Sequence, residues 1–387
     1  MMRSSRASLR GATLCAAVIA SGAIAPAAAT AQSNLSTQGF GYPTGQFSAR
    51  ALGAGGALGE MDPLSTVNPA SIAILGARTI FFQIQPEYRT VTTAAGSERT
   101  STARYPIVFG AIPVGTNWVF SLGSSTLLDR TSSTSFRTTQ FLAGGDSVPI
   151  NTKFGIDGAM NDVRFAVGWM PVAWLHLGLG AHAITGRNLI TVTQAFDDST
   201  RFSTFSQQRT LGFLGSAVSG GFELVSKKVI ASASGRIGGS LRLSASDTVL
   251  TKANVPDRYG ASVSYIGFTN STISVRTSHD SWSSLGSLGS AGLKGIDAWD
   301  SSIGADVAGP KFADRILFFR GGFRTRTLPF LAAGDTVKEK SFSGGLGTTF
   351  AGGHVLGDLA VIRASRSAGI SASEHAWTVS IGLTVRP

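Results

Sequence analysis

Beyond residue 77, apolar and polar residues alternate one by one along much of the chain. In AWTVSIGLTV, Trp377, Val379, Ile381, Leu383 and Val385 hold one phase, and Thr378, Ser380, Gly382 and Thr384 hold the other. A period of two sends successive side chains to opposite faces of a strand, so one face of this segment is apolar throughout. The same reading fits NDVRFAVGWM, LHLGLGAHAI, STISVRTSH, SFSGGLGTTF and ILFFRGGFRT. Alternation over ~9–11 residues is the unit of a strand that crosses a bilayer.

Fourteen such segments are predicted, near residues 78–89, 104–114, 116–128, 160–170, 173–186, 209–223, 228–243, 257–268, 271–281, 299–308, 314–327, 338–350, 353–364 and 374–385. The connections after the odd-numbered segments are the longer, polar ones, up to about thirty residues from Asp129 to Ala159. Those between are brief, such as Gly115, Pro171-Val172, Thr269-Asn270 and Ala351-Gly352. An even strand number with alternating short and long connections fits a closed barrel, because only closure satisfies every edge hydrogen bond in lipid. The expected fold is all-β, a 14-stranded antiparallel transmembrane β-barrel over residues 78–387.

Tryptophan tests this independently. Trp118, Trp169 and Trp174 fall at short-turn ends and Trp282, Trp299 and Trp377 at long-connection ends, as two aromatic girdles require. The apolar run from Val167 to Ile184 approaches the length of a membrane helix. Pro171 in its middle, together with the alternating phase of Gly178, Gly180, His176 and His182, predicts two strands and a turn instead.

The N-terminus reads differently. Arg3, Arg6 and Arg10 precede an apolar run that ends at Ala29-Thr30-Ala31, the pattern of a cleaved secretory signal over residues 1–31. The only cysteine, Cys15, lies within it, and Leu14 before it is too bulky for a lipoprotein signal. The exported chain is then cysteine-free, which excludes a disulfide scaffold, a thiol enzyme and a Cys-zinc protein. Forty-eight Gly and 14% charged residues make the chain too apolar for disorder and unlike a helical enzyme. The net charge of +11 comes from singly scattered Arg and Lys, so no nucleic-acid partner is expected.

If the apolar phase meets lipid, the other names the lumen. Gln83, Gln85, Glu87, Arg164, His176, His182, Arg276, Asp306, Arg320, Arg324 and Asp358 are then inward. Arginine costs ~2–4 kcal/mol on the lipid face near the midplane, so an inward phase for Arg164, Arg276, Arg320 and Arg324 supports the register. These four are candidates to bind an anionic head group through charge-assisted hydrogen bonds. The alternative is pairing with Glu87, Asp306, Asp358, or with Glu60 and Asp62 upstream of the barrel. Chemistry has no clear signature. GAGGALG has Leu58 at the third glycine position of a dinucleotide fingerprint, no G-x-S-x-G or H-E-x-x-H occurs, and the five histidines are dispersed. No catalysis, cofactor or metal is expected, a Ser and His pair on the barrel wall being the one enzymatic alternative.

The stretch ARALGAGGALGEMDPLSTVNPASIA, residues 49–73, fits neither an amphipathic helix nor a strand. Its Arg50, Ala51, Leu52, Gly53, Gly55, Gly56 and Ala57, followed by Asn68, Pro69 and Ala70, resemble the start of the long-chain fatty acid transporter family (FadL-like outer-membrane proteins). The C-terminal strands from Arg320 to Val385 are similar to that family's closing strands. The resemblance implies that residues 32–77 form a plug inside the lumen, with Gly53, Gly55 and Gly56 as its glycine segment and Asn68-Pro69-Ala70 as its hinge. Gly and Ala allow close backbone approach in a crowded lumen, and Pro63 and Pro69 stop regular structure from propagating. The resemblance also implies an outer-membrane channel for long-chain fatty acids or hydrocarbons, with plug-gated passive uptake. Its partners would be a hydrophobic small molecule and outer-membrane lipids. A shuttle or assembly partner of a secretion system shares the architecture and is the alternative, ahead of a lipid-active enzyme.

Overall fold

A computed structural model describes Thr37 and residues 40–387, apart from 94–95, 142–146, 199, 247, 287–293, 313–314, 333 and 370–371. The expected signal segment, with Cys15, lies outside the described residues. Fourteen strand positions follow one another around a ring among these residues: β1 (Thr79–Thr93), β2 (Gly96–Val114), β3 (Trp118–Asp129, continued by Ser132–Phe141), β4 (Ser147–Val172), β5 (Leu175–Phe196), β6 (Phe205–Val225) and β7 (Val229–Ala245). The remainder are β8 (Thr248–Asn254, continued by Arg258–Phe268), β9 (Ser271–Asp280), β10 (Ala298–Phe312), β11 (Arg315–Ala332), β12 (Asp335–Phe350), β13 (Val355–Ala368) and β14 (Ala372–Val385). Every neighbour is antiparallel, and β14 pairs with β1 from Ala372 opposite Thr93 to Val385 opposite Ile80, which closes the ring.

The two interrupted strands have local causes. In β8 the break is Val255-Pro256-Asp257, where proline has no N–H to give the ladder. Asp257 compensates by accepting from Gly238 N at 2.7 Å. In β3 the break is at Arg130-Thr131, where Asp129 turns back to accept from Thr131 N at 3.0 Å. The two-residue strand Tyr42–Pro43 pairs with Asp129 and Leu128 beside this break.

The alternation read from sequence is the sidedness of the wall. Ile80, Phe82, Leu122, Phe165, Leu179, Val218, Ile237, Val263, Phe342 and Ile381 are exposed on the outer face. Thr378, Ser380 and Thr384 of β14 are buried on the inner one. The Val167–Ile184 run is the end of β4, a turn, and the start of β5. Trp118, Trp169, Trp174, Trp299 and Trp377 are exposed as girdle residues should be, and Trp118 stacks on Trp169 at 5.3 Å. Trp282 departs from the expectation, being buried at 3% exposure and edge-on to Phe40 with ring centroids 6.4 Å apart.

The long connections also differ from the sequence reading. Most of Asp129 to Ala159 is ladder, not loop: Ser132–Phe141 pairs with β4 from Ser132 opposite Ile156 to Phe141 opposite Ser147. β5 likewise continues to Phe196. β4 has 26 residues, roughly 85 Å of strand at ~3.3 Å per residue, far more than the ~30 Å hydrocarbon layer needs. Beyond lipid there is no demand for an apolar face. Thr, Ser and Asn on both phases therefore hid these arms from a hydrophobic-pattern reading.

Candidate functional site: the lumen and the N-terminal segment

Residues 40–76 are almost entirely buried, and their partners are inward-facing residues from strands all round the ring. Within the segment, ARALG makes a one-turn helix, α1 (Ala49–Gly53), capped by Ser48 Oγ, which accepts from Ala51 N at 3.1 Å. Sequence pattern alone gave no periodicity long enough to reveal it. A 3₁₀ turn spans Pro69–Ile74.

Each expected element of the segment has a definite seat. Gly55 and Gly56 adopt φ of +67° and +84°, which favour glycine. Gly53 presses on β11 and β12, where an added Cβ would stand 3.2 Å from Gly345 Cα and 3.3 Å from Arg320 Cβ. Ser343 of β12 joins the same contact, accepting from Gly55 N at 2.8 Å and donating to Gly53 O at 2.9 Å. Asn68 Oδ1 accepts from Ala70 N at 3.0 Å, and Asn68 Nδ2 donates to Glu60 O at 2.9 Å. Asn68-Pro69-Ala70 rests on β5 and β6 at glycines: a side chain on Gly178 would strike Pro69 and Ala70, and one on Gly221 would strike Asn68.

Around the segment lies a lattice of ion pairs. Glu60, with no exposure, pairs with Arg258 and with Arg276 at 3.3 Å, and Ser234 donates to it at 2.6 Å. Arg276 and Arg324 share Asp300, at 3.3 and 2.6 Å. Arg320 lies between Asp306 at 3.3 Å and Asp358 at 2.6 Å. Arg50 of α1 reaches Asp306 at 3.0 Å. Arg164 differs from the other three candidates. It donates to Thr66 O at 2.9 Å and makes no ion pair among the described residues. His176 faces Glu223 at 3.0 Å.

Two aromatic side chains of the segment are held between cations, a feature sequence reading missed. Phe47 lies 4.6 Å from the Arg276 guanidinium and 5.0 Å from that of Arg324. Tyr42 lies 4.8, 4.7 and 4.7 Å from those of Arg104, Arg326 and Arg366. Burial strengthens such cation–π contacts. Strand phase places Glu87, Asp306 and Asp358 inward but does not pick out Asp300 or Glu339, and Tyr42 and Phe47 precede the barrel and follow no period.

Toward the long-connection end the inner face changes character. Leu128, Met160, Ile184, Leu211, Phe213 and Leu243 turn inward and join Trp282, Leu328 and Phe330 in one apolar cluster, against which Phe40 packs. Phe40 is 6.3 Å from Phe330 as well as 6.4 Å from Trp282. On the opposite surface, Trp118, Trp169, Leu179, Phe222 and Tyr259 surround an apolar concavity of about 640 Å³, floored by Gly178, Gly220 and Gly235.

No protein-family model matches the chain, and no curated protein matches it in sequence. Its fold has clear counterparts among solved structures. A Pseudomonas aeruginosa FadL homologue superposes with a TM-score of 0.62 at 13% identity, covering 89% of this chain and 99% of that one. The CymD monoaromatic hydrocarbon channel gives 0.55 at 12% identity over 88% and 97%. The Pseudomonas putida toluene transporter TodX gives 0.53 at 11% identity over 93% and 97%.

Proposed function

The chain has the closed 14-stranded barrel fold of the FadL-type channels, and we propose that it is an outer-membrane channel carrying hydrophobic or amphipathic small molecules inward. The substrate class is long-chain fatty acids or hydrocarbons, and passage is passive, driven by binding. Residues 1–31 act as its export signal and residues 32–77 as the plug that gates it. The observation that carries this reading is the change of lining along the lumen, from an apolar cluster at the long-connection end to a charged lattice filled by the N-terminal segment. A water-filled general pore needs neither.

An apolar molecule entering from the long-connection end displaces Phe40 from between Trp282 and Phe330. It advances as the segment shifts about Asn68-Pro69-Ala70, with Gly53, Gly55 and Gly56 allowing that part to slide along β11 and β12. Arg276, Arg320 and Arg324 serve chiefly to hold the segment through their carboxylate partners, and Arg164 meets an acidic head group.

Cells lacking the protein should lose uptake of a labelled long-chain fatty acid or of toluene, and regain it with the intact chain. Unchanged uptake of both would overturn the channel reading. Deleting residues 36–72 should produce a steady ion-conducting pore in planar bilayers, and unchanged conductance would overturn the plug.

A further inference from the structure

Three inward residues on adjacent strands form a relay that channel function does not use. His182 Nδ1 lies 2.7 Å from Asp162 Oδ1, and His182 Nε2 lies 2.8 Å from Ser219 Oγ. The carboxylate fixes the proton on Nδ1, so Nε2 presents its lone pair to the Ser219 hydroxyl. Asp162 is itself held, because its other oxygen accepts from Gln46 Nε2 at 3.0 Å and faces Arg236 at 3.6 Å. All three residues are buried.

The strand register completes the arrangement. Arg164 stands opposite His182, and Gly180 stands opposite Ser219. A Cβ on Gly180 would lie 2.5 Å from Ser219 Oγ, 3.4 Å from His182 Nε2 and 3.6 Å from Arg164 Cδ. Only glycine at this position lets Ser219 Oγ sit where it does, beside a base and a cation that has no carboxylate partner among the described residues, and a substrate carbonyl reaches the hydroxyl once the N-terminal segment has withdrawn.

We propose that Ser219, His182 and Asp162 form an acyl-transfer site that hydrolyses carboxylic esters of apolar acids reaching the lumen. Ser219 Oγ attacks the ester carbonyl while His182 Nε2 takes its proton, forming the Oγ–C bond and an oxyanion beside Arg164. The oxyanion collapses, the ester C–O bond breaks, and the alcohol leaves with the proton from His182. Water, deprotonated by His182, then attacks the acyl-serine. The Oγ–C bond breaks, Ser219 recovers its proton, and the carboxylic acid is released. Asp162 is a positioning residue, holding the tautomer and ring orientation of His182. Thr66, whose carbonyl accepts from Arg164 in the resting arrangement, has to withdraw before the guanidinium can serve the oxyanion.

The test uses the purified full chain in detergent, treated with an alkyl fluorophosphonate and, separately, with the p-nitrophenyl ester of a medium-chain fatty acid. An adduct on the Ser219 peptide and ester turnover are expected. Ser219→Ala should remove both, and His182→Gln should slow both by about 10³-fold or more. Asp162→Asn should lower kcat with little change in KM. Gly180→Ala, whose methyl would collide with Ser219 Oγ and push it off His182, should block labelling. An unmodified Ser219 in the native chain, or turnover that survives Ser219→Ala or His182→Gln, would overturn the proposal. Ser219→Cys guards against misfolding. Its thiol, distinguished from Cys15 by peptide mapping, should be alkylated at least about tenfold faster than when His182→Gln is also present, and equal rates would overturn the relay. None of these readouts needs transport, so lost uptake and lost esterase activity fail separately.

Discussion

Tyr42 donates its phenolic proton to Glu339 Oε2 at 3.1 Å, joining residues 297 positions apart in the chain. The same hydroxyl accepts from Arg366 at 3.0 Å, and the ring lies among the guanidiniums that Glu87, Glu339 and Asp129 neutralise. Tyr42→Phe should cost about 1–2 kcal/mol through the lost hydrogen bonds while keeping the ring in place. Tyr42→Ala should cost more and raise the frequency of conductance openings in planar bilayers. Indistinguishable traces from the two variants would show that the ring does not anchor the segment.

Glu60 is the segment's most deeply committed charge. Glu60→Gln leaves Arg258 and Arg276 facing a neutral amide in a buried site, and breaking such a pair costs ~3–5 kcal/mol. The expected result is a lower denaturant midpoint, followed by tryptophan fluorescence in detergent. Replacing Arg258 with Met in the same chain should recover part of the loss.

Asn68 spans two backbone groups, and Asn68→Ala should cost about 1 kcal/mol by removing the cap on Ala70. Strand content by circular dichroism should stay unchanged while uptake changes. Gly178→Val attacks the same contact from the wall and should push Pro69 and Ala70 off β5. A chain that takes up ligand normally with both changes would show that this motif is no hinge.

Leu179 is 72% exposed on the outer wall. Leu179→Arg should destabilise the barrel in lipid by ~2–4 kcal/mol, read from the urea midpoint in phospholipid vesicles. Its strand neighbours Gly178 and Gly180 point the other way, and changes there should act through the lumen.

The wall was legible in sequence because lipid imposes a single rule on every strand, so β14 and β4 betray their faces by alternation alone. The inward phase of Arg164, His176, His182, Arg276, Arg320 and Arg324 followed from the same rule, and all six are buried. What the rule does not reach is register between strands. Arg164 opposite His182 and Gly180 opposite Ser219 are facts of pairing, and a slip of two residues would keep every side chain on its face while dispersing the relay. The arms on either side of residues 142–146 escaped for the opposite reason, since outside lipid nothing forces their faces to differ. Trp282 illustrates the remaining gap: position near a rim suggested a girdle, but the segment's own Phe40 supplied an inward partner that no periodicity announces.

The seam between β14 and β1 joins residues 372–385 to residues 79–93. Sealing this ring therefore waits for the last strand to be available. By then the residues preceding β1, with Glu60 among Arg258 and Arg276, must already sit inside, or be threaded in past the inward apolar residues at the rim. Biogenesis of this protein is thus a packing problem with a deadline: either the sheet curls around its own N-terminus before the seam closes, or the segment has to pass the rim of a finished ring.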